Sequence, residues 1–241
     1  MMRNSQVGYN CIYNLLHVKF NEDFGIDGKF SYDLQYPSFY AFKNTYFKVN
    51  PSILSQLNST IKANINDFKE GTLKEEEEMD RKFNIMSCYA VTFNKNYVLS
   101  SILTLKGFVE NEGLLYNQLN NFNIDLNNGK TIYLRDIFKE NVDYITLITN
   151  YVNYKISQNR DLYYENYDLY IPEDQAFYIT DDGIVIYFEL DEIAPKDIGV
   201  PKFKMSFEKF APYINPRFFC SPQNINTLNS RHFRYYLRKN M

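Results

Sequence analysis

The chain has 241 residues, 45% of them hydrophobic, so it is long and apolar enough to bury one large core or two small ones. Its net charge of −3 and pI of about 5.5 give no overall positive field, so we expect no nucleic-acid partner. No window reaches the ~18 apolar residues of a membrane helix, and the first residues contain no apolar export-signal core. As written, the sequence predicts a cytoplasmic protein, or an extracellular one if it is a fragment of a longer chain.

The residues that most often carry catalysis or bind metals are few and scattered. Cys11, Cys88 and Cys220 lack the spacing of a zinc site, and an odd count fits reduced thiols or one bridge with one thiol left over. His17 and His232 lie far apart, and neither has a neighbouring pattern that indicates a nucleophilic triad. We therefore predict no metal, no cofactor and no catalytic residue, which favours a protein that is not an enzyme.

The first elements are predicted from alternation and from turn residues. Residues 13–20 form a short strand candidate, and Gly25 and Gly28 are expected to interrupt the pattern after it. Residues 29–40 alternate apolar and polar, which predicts a half-buried strand. Pro37 cannot donate to a ladder, so it should end this strand or lie at an edge.

A long helix is predicted to begin at Pro51, because Asn50 is a favoured N-cap and proline a favoured first residue. Its apolar residues recur at helical spacing: Ile53, Leu54, Leu57, Ile61, Ile65 and Phe68. Four glutamates at 75–78 follow Gly71, and we expect them to be a solvated loop or a fraying helix end rather than a cation site.

The remaining elements complete an α+β pattern. Further strands are predicted at 83–93, 97–105, 119–126, 177–179, 184–190 and 202–207, with a helix at 143–157. Most strand connections are of hairpin length, which predicts antiparallel sheets with packed helices in two intimately joined modules. We expect an N-terminal strand–helix–strand module at 1–95, a second domain at 96–215 and a basic aromatic tail at 216–241.

Three blocks, in this order, resemble the RsiV-like sensor region of certain Firmicute anti-sigma factors, in which a small N-terminal module precedes a domain of unknown function. The first block is Tyr36-Pro37 with the Ile53–Phe68 helix. The second runs from Asn128-Gly129-Lys130 to Phe138, with Asp125, Lys130, Leu134, Asp136 and Phe138 at the matching positions. The third is the Asp181-Asp182-Gly183 hairpin, then Glu192-Ile193-Ala194-Pro195 and Gly199. The resemblance covers roughly residues 30–215.

The resemblance implies a non-catalytic sensor or protein-binding module with a cell-envelope role, lysozyme being the known protein ligand of such a region. The same pair of modules occurs in some peptidoglycan deacetylases. Relatives carry a Gly-Gly-Ala-His-like loop where this chain has residues 108–116, and only Gly113 resembles it. Since loops on rigid sheets commonly bind ligands, we predict a ligand surface here, an apolar patch with an acidic rim, made of Phe108, Glu110, Glu112, Leu114 and Tyr116.

Two other functions remain open. An enzyme acting on cell-wall carbohydrate would use paired carboxylates. The candidates are Asp136, Asp181, Asp182, Glu189, Asp191 and Glu192. Turn chemistry already accounts for Asp181-Asp182-Gly183, and a helix start accounts for Asp136. The other function is that of an intracellular structural protein of a spore-forming bacterium. The basic tail is expected to fold back on the acidic body rather than to bind nucleic acid.

Overall fold

The computed structural model describes residues 11–14, 16–42, 47–79, 81–165 and 169–219. The elements, in chain order, are β1 (Leu16–Asp27), β2 (Phe30–Ala41), α1 (Pro51–Met79), β3 (Phe83–Lys95), β4 (Val98–Val109), β5 (Gly113–Asp125), α2 (Leu134–Ile137), α3 (Tyr144–Ser157), β6 (Phe177–Thr180), β7 (Gly183–Tyr187), β8 (Lys202–Ser206) and α4 (Phe207–Phe210), with three short 3₁₀ turns. The fold is α+β, as predicted.

The first sheet contains five strands in the order β1-β2-β3-β4-β5. All neighbours are antiparallel except β2 and β3, which run parallel. Parallel neighbours need a crossover connection, and α1 provides it here. The predicted strands at 83–93, 97–105 and 119–126 are confirmed. Strand β5, the last strand, lies at one edge of this sheet.

Helix α1 covers one face of the first sheet. It begins at Pro51, with Asn50 Oδ1 accepting from the backbone N–H of Ser52 at 3.0 Å. The residues that it buries against the sheet are Leu54, Leu57, Ile61 and Ile65. The predicted helix at 51–69 is confirmed, but it continues through Gly71 to Met79, so the run of glutamates belongs to the helix rather than to a loop.

The second sheet contains three antiparallel strands in the order β6-β7-β8. Helix α3 packs against it through Ile148, Val152 and Ile156, and Asp143 caps that helix by accepting from the Thr146 N–H at 3.1 Å. The predicted helix at 143–157 and the predicted hairpin around 181–183 are confirmed. Phe93 and Val98 of the first sheet belong to this second core, so the two sheets share one packed interface.

Buried polar contacts join the two sheets. The Ser100 hydroxyl donates to Asn123 Oδ1 at 2.7 Å and accepts from the backbone N–H of Ile179 at 3.0 Å, while Asn123 Nδ2 donates to the Phe177 carbonyl at 2.8 Å. The division that the sequence analysis placed at residue 95 falls in the turn between β3 and β4, and both strands belong to the first sheet.

Two expectations about the first strands were wrong in part. Strand β1 passes through Gly25 without interruption, because the Tyr32 ring packs where a side chain would lie: a Cβ at Gly25 would be 2.5 Å from the Tyr32 hydroxyl. Pro37 lies inside β2 rather than at its end. The strand pairs with β3 only up to Leu34, so at Pro37 the β3 side has no strand partner, and a missing donor is tolerated there. The predicted basic tail from residue 220 onward lies outside the described residues.

Candidate binding cleft

A cleft of about 970 Å³ runs along the free edge of β5, between α1 and residues 187–200 of the second module. Seven of its lining side chains are carboxamides, and they come from both α1 and β5, among aliphatic and aromatic residues. The six that line the cleft outside the sheet interface are Gln56, Asn64, Asn117, Gln118, Asn120 and Asn121. Such groups both donate and accept hydrogen bonds without carrying charge, so the cleft suits a polar, largely neutral ligand backbone.

One wall of the cleft is helix α1. Asn120 Nδ2 donates to Asn64 Oδ1 at 2.8 Å, which fixes the helix against the edge strand, and Gln118 Nε2 donates to Asn120 Oδ1 at 3.0 Å. Thr60 is exposed on the same wall, and its hydroxyl bonds only within the helix, to the Gln56 carbonyl. Thr60 is therefore a position where the cleft can be altered without loss of a tertiary hydrogen bond.

The opposite wall is held by Tyr187 of β7. Its hydroxyl lies 3.0 Å from the Leu119 carbonyl oxygen and 2.8 Å from Asn121 Oδ1. Only 3% of Tyr187 is exposed, and burial, followed by the nearby Glu189 carboxylate, raises the pKa of its hydroxyl far above the ordinary value. Tyr187 thus stays protonated and acts as a structural donor, not as an acid or a base.

The backbone of β5 leaves hydrogen-bonding groups directed into the cleft. Leu119 accepts from Tyr187 on the side away from β4, and so does Asn123 from the Ile132 N–H. The backbone N–H and C=O groups of successive residues in an antiparallel strand point to opposite sides. The backbone groups of residues 117, 119 and 121 therefore all point away from β4. Within the described residues, no hydrogen bond reaches the N–H groups of these three residues or the carbonyls of Asn117 and Asn121. The Asn117 side-chain oxygen is also buried without a partner there.

The charged groups of the cleft lie on the 187–200 wall. Glu189, Asp191 and Lys196 line it. Tyr164 donates to Asp191, and this hydrogen bond to the carboxylate raises the pKa of the Tyr164 hydroxyl. None of the ion pairs between described residues involves Glu189 or Asp191. Two carboxylates and one ammonium group therefore line this wall, an excess of one negative charge.

Of the residues predicted to form a ligand surface, Tyr116 alone lines this cleft, whereas Phe108 and Glu110 line a separate depression beside the β1–β2 turn. Strands β4 and β5 extend further than predicted, so only residues 110–112 form a turn and the expected loop is mostly strand. Tyr116 lines the cleft; its hydroxyl bonds to Glu75 of α1 and its ring packs on Phe68. Leu114 and Phe108 are half-buried.

The acidic rim of the predicted surface carries cation partners. Glu110 pairs with Lys82 at 3.3 Å, and Glu112 pairs with Arg81. All four side chains are about half exposed or more, so these pairs are weak and screened. The cations nevertheless make the rim less negative than its sequence suggests, and the acids without an ion pair to a described residue, Glu189 and Asp191, lie on the 187–200 wall.

The structure also bears on metal binding, membrane spans and the cysteines. Within the described part of the chain, no three or more His, Cys, Asp or Glu side chains converge in a way that could hold a metal ion. No helix among these residues is long and apolar enough to cross a membrane. Cys88 is a free, exposed thiol, whereas Cys11 is disulfide-bonded, which corresponds to the alternative of one bridge with a thiol left over.

Part of the second module and the overall fold are similar to those of known proteins. Residues 135–208 match the DUF3298 family, a protein family of unknown function. A DUF3298 family structure from Bacteroides fragilis NCTC 9343 superimposes with a TM-score of 0.56 and 14% identity, covering 84% of this chain and 95% of that one. A DUF3298 family protein from Pseudomonas aeruginosa PAO1 superimposes with a TM-score of 0.55 and 12% identity, covering 86% of this chain and 96% of that one. No curated protein matches the chain.

The two DUF3298 structures share the fold at identities too low to carry a site from one protein to another. The fold extends over both sheets, because it covers well beyond the matched segment. Sequence reasoning missed the cleft itself. A signal was present: residues 117–123 contain five carboxamides in seven positions, although asparagine is depleted in strands.

Proposed function

We propose that this chain is a non-catalytic binding module and that its ligand site is the cleft along β5. The observation that carries the proposal is an open strand edge facing a space of about 970 Å³ whose lining includes seven uncharged carboxamides. Catalytic sites are usually marked by acids or bases with strongly shifted pKa values. In this cleft the one large shift belongs to Tyr187, whose hydroxyl is committed to Leu119 and Asn121.

The ligand that we propose is a protein, as in the RsiV-like sensor regions that the sequence resembles. Of the predicted residues Phe108, Glu110, Glu112, Leu114 and Tyr116, we place Tyr116 in this site, because it alone lines the cleft. Lysozyme is the first candidate, because it is basic and the acids Glu189 and Asp191 carry no described cation partner. A cell-envelope location agrees with the disulfide at Cys11, because disulfides persist in oxidising compartments.

The test is a calorimetric titration of lysozyme into the full chain. Thr60→Trp would place a large ring in the cleft without removing a tertiary hydrogen bond, and Ser59→Trp adds the same ring at an exposed neighbouring position that does not line the cleft. We expect Thr60→Trp to weaken binding at least tenfold and Ser59→Trp to leave it unchanged. Equal binding by both variants would remove the cleft from the proposal, and no binding by the parent would remove lysozyme.

The alternative is a carbohydrate-acting enzyme, and one observation favours it: Glu189 and Asp191 are two carboxylates on the wall of a polar cleft. Asp191 accepts from Tyr164, which leaves Glu189 as the better acid candidate. Release of reducing sugar from purified peptidoglycan by the parent, and its loss in Glu189→Gln, would establish this function and contradict the non-catalytic proposal.

A further inference from the structure

We propose that the ligand enters the cleft as an extended peptide segment that carries basic side chains and adds a sixth strand to the first sheet at β5. This inference rests on the proposed function, because it specifies how the same cleft would bind and which chemistry it would select. Strand addition at an exposed sheet edge is a common mode of peptide recognition, in which main-chain hydrogen bonds supply affinity.

The free groups of β5 form the template. The N–H groups of Asn117, Leu119 and Asn121 and two of their carbonyls point away from β4 into the cleft. Residues two apart in a strand repeat every ~6.6 Å, so this row spans about 13 Å and pairs with a segment of about five residues. The Leu119 carbonyl is already used by Tyr187, so the added strand would meet one occupied position in the middle of the row.

Other proteins protect such edges with proline, bulges, short strands or a covering element. At β5 the only bulge lies near the start of the strand, between Gly107 and Phe108 of β4 and their partners, and it does not reach residues 117–121. Helix α1 and the 187–200 segment flank the edge but leave the cleft open between them. The edge therefore faces open space between these two elements.

The carboxylates on the 187–200 wall of the cleft favour basic side chains on the added peptide. Glu189 and Asp191 have no described ion-pair partner, and Lys196 is the one cation among the described lining residues. Complementary charges mainly raise the association rate and suppress wrong partners. A segment with Lys or Arg at alternate positions would direct them at this wall, while its other side chains face the carboxamides of β5 and α1.

A polysaccharide is the competing ligand, since carboxamides also bind sugar hydroxyls. The row of outward N–H and C=O groups at strand spacing favours the peptide, because only another backbone matches that repeat. The experiment uses a capped hexapeptide of alternating lysine and valine, the same peptide with glutamate for lysine, and chitohexaose. Each is titrated into the full chain and into Thr60→Trp and Ser59→Trp, and backbone amide exchange is followed by NMR.

We expect the lysine peptide to bind at least tenfold more tightly than the glutamate peptide, and Thr60→Trp but not Ser59→Trp to abolish binding. At saturation the amides of residues 117, 119 and 121 should gain at least tenfold protection from exchange, whereas those of 118 and 120, which face β4, should not change. Glu189→Gln should weaken the lysine peptide about threefold.

Binding that is sensitive to Thr60→Trp but leaves these three amides unprotected would overturn strand addition while the binding cleft stands. If chitohexaose binds, Thr60→Trp weakens that binding and the peptide does not bind, the ligand of the cleft is a glycan and the peptide proposal is wrong. If no probe responds to Thr60→Trp, the strand-addition proposal is wrong, and the lysozyme titration then decides separately whether the cleft binds a folded protein.

Discussion

The Tyr187 hydroxyl lies 3.0 Å from the backbone oxygen of Leu119, so a side chain of the second sheet is anchored on the edge strand of the first. The same hydroxyl lies 2.8 Å from Asn121 Oδ1, and Tyr187 is 3% exposed. This contact holds the 187–200 wall against β5, and the Asn64–Asn120 hydrogen bond holds the α1 wall against the same strand. A ligand would therefore meet a preformed site rather than one that it must assemble.

Tyr187→Phe should lower the free energy of unfolding by about 1–2 kcal/mol, because the one hydroxyl hydrogen, shared between the Leu119 carbonyl and Asn121 Oδ1, is lost while the ring remains. Tyr178→Phe is the matched control: its ring packs beside Tyr187, and its hydroxyl has no described hydrogen bond. Urea denaturation measures both. A loss in Tyr178→Phe as large as that in Tyr187→Phe would contradict the assigned role of the Tyr187 hydroxyl.

Ser100→Ala should lower the free energy of unfolding by about 2–3 kcal/mol, because it leaves Asn123 Oδ1 and the Ile179 N–H unsatisfied at the interface between the sheets. The neighbouring Ser101 is 1% exposed, and its hydroxyl is buried without a described partner. Ser101→Ala should therefore be neutral or stabilising. Guanidinium unfolding of the two variants gives the comparison, and similar losses would show that volume, not hydrogen bonding, decides stability here.

Asp125 should make the fold acid-sensitive. Burial alone would raise the pKa of its carboxyl, but the hydrogen bond from Arg217 Nη1 at 2.8 Å, the hydrogen bond from the Asn127 N–H and the charge of Arg217 outweigh burial and lower the pKa below the ordinary value. A lowered folded pKa contributes stability above the unfolded value, ~3.9, and that contribution is lost as the pH falls through the folded pKa. Asp125→Asn should thus destabilise by about 1–3 kcal/mol at pH 7.

The difference between parent and Asp125→Asn should shrink as the pH falls below about 4, because the parent carboxyl then also becomes neutral. Thermal melts of both proteins between pH 7 and pH 2.5 provide the measurement. A constant difference over this range would mean that the charge of Asp125 is not what stabilises the pair with Arg217.

Gly71→Ala should stabilise the protein by about 0.5–1 kcal/mol. Gly71 lies inside α1, and a Cβ there would meet no atom within 4 Å, so alanine gains helix propensity at no steric cost. At Gly183 the same substitution should be strongly destabilising, because its Cβ would lie 2.6 Å from the Met205 carbonyl oxygen. Thermal denaturation tests both; a destabilised Gly71→Ala would indicate that the helix does not continue past residue 71.

Lysozyme binding, if it also uses the β4–β5 turn, should respond to Glu110→Ala combined with Glu112→Ala. Because Lys82 and Arg81 already neutralise these acids in part, we expect only a two- to fivefold loss, concentrated in the association rate. Surface plasmon resonance at two salt concentrations separates the rates. Unchanged association would leave the hairpin outside the binding surface.

The sequence by itself determined the elements. Periodicity placed the helix that starts at Pro51 and the three central strands, because burying one face imposes a repeat of 3.6 or 2 residues. It failed where a local rule was overridden by a contact from elsewhere in the chain. Gly25 is one such position, since the Tyr32 ring rather than a strand break explains the glycine.

Only the tertiary structure decided the site. The carboxamides of residues 117–123 are visible in the sequence, but nothing local says that β5 lies at an edge, since that follows from α1 carrying the chain across to β3. Nor does the sequence tell that Tyr187, 68 residues from Leu119, bonds to its carbonyl. Sheet order and contacts between sheets are long-range properties, whereas hydrophobic periodicity reports only on which face of each element is buried.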